Sequence, residues 1–147
     1  MPKLFVMVGV PGSGKSTYAV DSLSKTATIF SSDKLRGEIL GDENNQDNKD
    51  LIFSTLYSRA RDCLLSGGNA VIDATNINKF ERARVLDNFK DIEGLERVAV
   101  FVNTSLDECI SRNNSRSRIV PEKVIRDFYN KLEKPEIIEG FDYIIEV

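Results

Sequence analysis

The chain has 147 residues, 41% of them hydrophobic and 29% charged, which is enough for one compact domain, spanning 1–147, with a real core and leaves little room for a second. Its 20 basic and 23 acidic residues give a net charge of −3, which excludes a global positive field for nucleic acid, so any polyanion site has to be local. The absence of histidine excludes imidazole metal ligands and histidine acid–base catalysis, while Cys63 and Cys109 fall in predicted helices far apart and read as reduced thiols, not as a disulfide or a zinc site.

The first apolar run, Leu4 to Val8, predicts a strand buried on both faces. It leads straight into GVPGSGKST, Gly9 to Thr17, and then a segment that can be helical. Gly9, Gly14, Lys15 and Ser16 satisfy G-x-x-x-x-G-K-[ST] with the required strand before and helix after. Gly12 and Gly14 open backbone conformations closed to other residues, so the amides around Ser13 can turn inward at phosphate oxygens. Those donors run on through Lys15, Ser16 and Thr17 into a helix N-terminus, whose dipole favours anions. Lys15 adds a mobile cation for the outer phosphates, and the Ser16 hydroxyl is placed to ligate Mg²⁺. This half of the site is expected to take ATP with Mg²⁺.

The next run, Ala27 to Phe30, ends in Ser31 and Ser32, then Asp33 and, three residues on, Arg36. On a helix starting near Ser32, Asp33 and Arg36 share a face. Phosphoryl transfer has a loose transition state, so an enzyme mainly holds donor and acceptor in line and offsets charge. Asp33 is the candidate general base for an acceptor hydroxyl, and Arg36 the candidate grip on an anionic part of the acceptor. A plain cap by Ser32 or Asp33, with Arg36 in solvent, suits the same spacing. The polar stretch GDENNQDNKD, Gly41 to Asp50, cannot bury much apolar area and is either acceptor-binding or loose.

A helical stripe follows: Ile52, Phe53, Leu56, Ala60, Cys63 and Leu64, stopped by Gly67. Ala70 to Ile72 predicts another strand, and Asp73 at its end, in AVIDATN, is the expected carboxylate partner for the metal. Asn78 with Glu81, and Ser105 with Glu108, have the spacing of capping boxes. Between them Val98 to Val102 predicts a strand. SRNNSRSRIVP then places Arg112 and Arg116 four apart at a helix end, with Arg118 following. Such arginine forks match phosphate oxygens, so this segment reads as a lid over the donor, or else as basic residues complementing a helix C-terminus. Pro121 can open a helix with Val124, Ile125, Phe128 and Leu132 inward, and Tyr143 to Ile145 predicts a last strand. Alternating strands and helices imply right-handed crossovers and an α/β fold with a mainly parallel central sheet of about five strands; with the glycine motif and the arginine segment, the expected architecture is a P-loop NTPase three-layer sandwich with a helical lid.

Taken in order, GVPGSGKST, SSDKLR, VIDATN and RNNSR, with KPEIIEGFDYIIEV at the end, resemble the P-loop kinase domain of the polynucleotide 5′-hydroxyl kinase family, including its phage, bacterial and animal kinase/phosphatase relatives. The resemblance spans nearly the whole chain. It implies that Lys15 and Ser16 serve ATP and magnesium, that Asp33 is general base, and that Arg36 contacts the acceptor's phosphate. It further implies that Asp73, Thr75 and Asn76 line the acceptor side and that Arg112 and Arg116 cover the donor phosphates. Ser32 stands where the phage pattern has arginine, and Glu136 where the animal tail has threonine. Only the kinase activity carries over, because the chain has no room for a phosphatase partner.

Three functions are therefore weighed. The leading expectation is an ATP-dependent kinase of DNA or RNA 5′-hydroxyl ends, with a nucleic acid end as its partner. A kinase for a small hydroxyl compound (sugar, nucleoside or antibiotic) is the rival. A nucleotide-binding switch is the third, weakened because NTSLD, Asn103 to Asp107, departs from the guanine-reading N-K-x-D. With no leader and no membrane-length apolar run, a cytoplasmic location and no membrane partner are expected.

Overall fold

A computed structural model describes residues 1–117 and 119–147; Arg118, one of the predicted lid arginines, lies outside the described residues. Five strands form one sheet: β1 (Lys3–Val8), β2 (Thr28–Ser31), β3 (Ala70–Asp73), β4 (Glu96–Phe101) and β5 (Tyr143–Glu146). They are all parallel, in the order β2-β3-β1-β4-β5, and each coincides with one of the predicted apolar runs to within two residues. The helices are α1 (Lys15–Tyr18), α2 (Ser32–Leu40), α3 (Lys49–Leu65), α4 (Lys79–Asp87), α5 (Leu106–Ser115) and α6 (Glu122–Lys131). After one turn α1 widens into a π-helix over Ala19–Leu23.

Both faces of the sheet are covered, which is why its strands read as continuous apolar runs. Leu4 and Val6 point to one face and pack with Ile72, Ile52 and Leu56, whereas Phe5 and Met7 point to the other and meet Ala19, Leu23 and Val100. A third cluster, Val10, Ile77, Cys109 and Ile125, holds α5 and α6 against the loops at the C-terminal edge of the sheet. The two cysteines are free thiols, and burial raises the pKa of Cys109.

Register brings the loops of the candidate site together. Ser31 of β2 lies beside Asp73 of β3, and β3 runs alongside β1, whose Val8 leads into the glycine loop. The chain steps from β1 to the far edge, returns between them, and then crosses to β4. The crevice of an open α/β sheet forms where the strand order reverses in this way.

Local capping differs from expectation in three places. The cap of α2 is Ser31, whose Oγ accepts from Lys34 N at 3.3 Å, and neither Ser32 nor Asp33 takes that place. Asn78 caps α4 by accepting from Glu81 N at 2.8 Å, but the Glu81 carboxylate answers to Ile77 N at 3.2 Å, one residue earlier than a reciprocal box requires. Ser105 caps α5, while Glu108 turns away to Arg112 at 3.1 Å. A charged partner one turn along outcompetes the neutral backbone donor. The polar stretch is shorter than predicted, since Lys49 and Asp50 already belong to α3.

Candidate active site

The glycine loop depends on three glycines for distinct reasons. A side chain at Gly9 would meet Ser13 Oγ at 2.6 Å, and one at Gly12 would meet the backbone oxygen of Cys109 at 2.4 Å. Gly12 and Gly14 also hold φ of +83° and +95°, where a Cβ is strained. Gly14 is the residue before α1, so the loop delivers its amides directly into the unsatisfied donors of that helix start.

The loop is anchored from the neighbouring strand ends. Gly9 N donates to Thr75 O at 3.0 Å, and the Asn76 amide donates to Met7 O at 2.8 Å. Asn76 is 4% exposed and sits at φ +45°, a conformation that asparagine tolerates better than most residues. It borders the expected acceptor side, but its amide nitrogen is committed to holding the Asp73–Asn76 turn on β1.

Ser16 Oγ donates to Asp73 Oδ2 at 2.7 Å, and Asp73 Oδ1 is buried with no hydrogen-bond partner. An orphaned carboxylate oxygen beside a hydroxyl is a hard oxygen pair of the kind that suits Mg²⁺, so the residues present fit the metal. Among the described residues no cluster of three or more acidic, cysteine or histidine side chains forms a metal cage.

Asp33 and Arg36 form an ion pair at 3.0 Å on one face of α2. The Asp33 side chain is 43% exposed and opens into a cavity of about 620 Å³ that also contains Lys15, Ser16, Asp73 and Arg116. Arg36 is 6% exposed; its guanidinium lies 5.7 Å from the Phe53 ring centroid, and its Nε is buried without a partner. Phe53 and Tyr57 of α3 and Val124 and Phe128 of α6 supply apolar walls to the same cavity. Burial pushes the Tyr57 phenol up to about 12, against the opposing pull of Arg84.

A second cavity, about 920 Å³, lies on the other side of the loop, lined by Gly12 to Thr17, Thr104 and Arg112. Arg112 Nη1 donates to Ser13 O at 2.9 Å and Nε pairs with Glu108, so α5 is clamped over the loop. Lys15, Ser16 and Arg116 border both cavities. The two chambers thus meet at one lysine, one hydroxyl and one arginine.

A family model described as an AAA domain matches residues 4–135. The chain belongs to that family. Its fold is that of P-loop kinases: the chain of a Pnkp1/Rnl/Hen1 RNA repair complex superposes with a TM-score of 0.79 at 21% identity, over 89% of this chain and 44% of that one. A gluconokinase from Sinorhizobium meliloti superposes with a TM-score of 0.65 at 19% identity, over 99% and 82%. In sequence, L-seryl-tRNA(Sec) kinase of Methanococcus maripaludis is 22% identical over 136 residues, 90% of this chain and 53% of that protein. The chain thus spans about half the length of that curated relative. No helix among the described residues is long and apolar enough to cross a membrane.

Sequence reasoning missed Arg82. It is 0% exposed and its guanidinium pairs with Glu139 at 2.7 Å while Nη1 donates to Asn76 O at 2.9 Å. The signal was available, since Arg82 lies three, four and seven residues before Val85, Leu86 and Phe89, all buried. Arg84, which lines the cavity of Asp33, was also missed, and Lys49, which lines it too, was covered only within the polar stretch Gly41 to Asp50.

Proposed function

We propose that this chain is an ATP-dependent, Mg²⁺-dependent kinase that transfers the γ-phosphoryl group to the 5′-hydroxyl of a DNA or RNA end. The observation that carries the reading is the pair of chambers that share Lys15, Ser16 and Arg116, with Asp33 facing into only one of them. The glycine-loop chamber takes the nucleotide, and the chamber of Asp33 and Arg36 takes the acceptor.

In the reaction the acceptor oxygen bonds to the γ-phosphorus as the bond from that phosphorus to the bridging β–γ oxygen breaks. The hydroxyl proton passes to Asp33, and ADP leaves with the electron pair. Ser16 and Asp73 would hold the metal, which when bound neutralises charge on the nucleotide's outer phosphates. Lys15, Arg112 and Arg116 offset charge spreading over the transferred group, and Arg36 holds an acceptor phosphate so that the hydroxyl stays in line. Arg36 supports an anionic acceptor because a nearly buried guanidinium with one unpartnered nitrogen has donor capacity left over. Asp73, Thr75 and Asn76 line the acceptor chamber. With α5 clamped over the glycine loop, Arg112 and Arg116 would help to exclude water from the transferring group.

The sequence resemblance and the likeness to the RNA repair chain support a nucleic acid acceptor. The likeness to a gluconokinase favours a small hydroxyl compound instead. Labelled-ATP assays with a 5′-hydroxyl oligonucleotide beside a panel of sugars, nucleosides and antibiotics separate the two. Transfer to the oligonucleotide is expected; transfer only to a small compound replaces the reading with the second one.

A further inference from the structure

The acceptor cavity carries more positive charge than a single phosphate needs. Besides Lys15, Arg36 and Arg116, it is lined by Lys49, the first residue of α3, and by Arg84 in the last turn of α4. Both side chains are exposed, and neither forms an ion pair among the described residues. Some other surface cations are paired, such as Lys3 with Glu96, Arg59 with Glu38 and Arg61 with Asp91, and others, such as Lys25, Lys90 and Lys131, are exposed without an ion pair among the described residues; Lys49 and Arg84 differ from the latter in lining this cavity. The cavity lining sets five cations, Lys15, Arg36, Lys49, Arg84 and Arg116, against three carboxylates, Asp33, Asp73 and Glu81, so in a chain of net charge −3 it is a locally positive site.

Their placement has a geometry. Lys49, Phe53 and Tyr57 recur every four residues and form one stripe of α3 along the cavity wall. Arg36 lies over the Phe53 ring, and Arg84 acts on the Tyr57 phenol from the facing helix. The stripe covers two helical turns, about 12 Å between the first and last Cα. That span exceeds the reach of one phosphate and suits a chain of them.

We infer that Lys49 and Arg84 form a cationic rim that contacts acceptor phosphates beyond the one held by Arg36, so that the cavity selects a polyanionic phosphodiester end over a singly phosphorylated acceptor. The inference rests on the proposed kinase reading and adds to it the residues that measure acceptor length. Phe53 and Tyr57 lie between the cations, where bases or sugars attached to those phosphates meet flat apolar surface.

The test compares two acceptors by calorimetry on the full chain: a 5′-hydroxyl nucleoside 3′-phosphate and a 5′-hydroxyl trinucleotide bearing a 3′-phosphate. The wild type is expected to bind the trinucleotide tighter. The double variant Lys49→Ala/Arg84→Ala should lose tenfold or more on the trinucleotide and less than twofold on the mononucleotide. Its salt slope for the trinucleotide should shrink by roughly 1.4, the value for two single-strand phosphates. Lys49→Arg should retain wild-type discrimination, and an unchanged melting temperature excludes a folding effect, as both residues are exposed. Equal weakening on both acceptors, equal wild-type affinity for the two, or no wild-type binding of either overturns the rim. Selective binding without transfer from ATP would sink the kinase reading and leave the rim standing.

Discussion

Asp33 illustrates how one residue's role is decided by its neighbour. Had it capped α2, its carboxylate would be spent on backbone amides; Ser31 takes that place, and Asp33 is left to pair with Arg36 and face the cavity shared with Lys15. Asp33→Asn should therefore keep ATP binding and lower the transfer rate by about 10² to 10⁴, the range of general-base catalysis, in single-turnover measurements. Lys15→Ala should instead weaken nucleotide affinity as well as transfer. Unchanged transfer in Asp33→Asn would remove Asp33 from the chemistry. The candidates Lys15 and Ser16 were legible through the glycine motif that opens α1, and Asp73 and Asp33 because one ends and the other closely follows an apolar run, a position that a polar residue marks directly. Asn76 was legible as part of the site but not in what its amide does, because a side chain bonding to the backbone of another strand leaves no local pattern.

At the scale of elements, α4 and the C-terminal turn are joined by the buried pair of Arg82 and Glu139. The turn Ile137–Glu139 is a 3₁₀-helix with a reciprocal box between Glu136 and Glu139, and Glu139 Oε2 accepts from Glu136 N at 2.8 Å. Arg82 links this turn to Asn76 O and, through the Asn76 amide, to Met7 on the strand that carries the glycine loop. Arg82→Met leaves a buried carboxylate without its partner and should cost about 3–5 kcal/mol in urea unfolding. Double replacement of Arg82 and Glu139 by apolar residues should recover much of that loss. A loss below about 1 kcal/mol in the single variant would mean that the pair is solvated in solution.

At the scale of the whole molecule, charge sets the response to acid and salt. Hydrogen bonding from Arg61 lowers the Asp91 pKa from 3.8 to about 2, and Lys79 and Lys134 lower those of Glu136 and Glu146. Each carboxylate is easier to ionise when folded, so its contribution is complete above the unfolded value and disappears as pH falls through the folded one. For Asp91 that window runs from about 4 down to about 2. Thermal melts of Asp91→Asn should thus differ from wild type at neutral pH and converge with it near pH 2. Across salt, affinity for a long 5′-hydroxyl oligonucleotide should fall with the slope of only a few phosphates, because the net charge is −3 and the cations that reach the acceptor are confined to one cavity. A slope equal to many phosphates would require a surface that the cavity does not provide.

The sequence by itself determined the strands, the glycine loop and its strand–loop–helix setting, since apolar runs and turn residues act over a few neighbouring positions. Only the tertiary structure decided that β3 inserts between β1 and β2, that Asp73 thereby meets Ser16, and that Lys49 and Arg84 look into the cavity of Asp33. The physical reason is that strand order and helix facing are fixed by which apolar faces bury each other across the whole chain, and contacts between residues that far apart leave no trace in any single stretch.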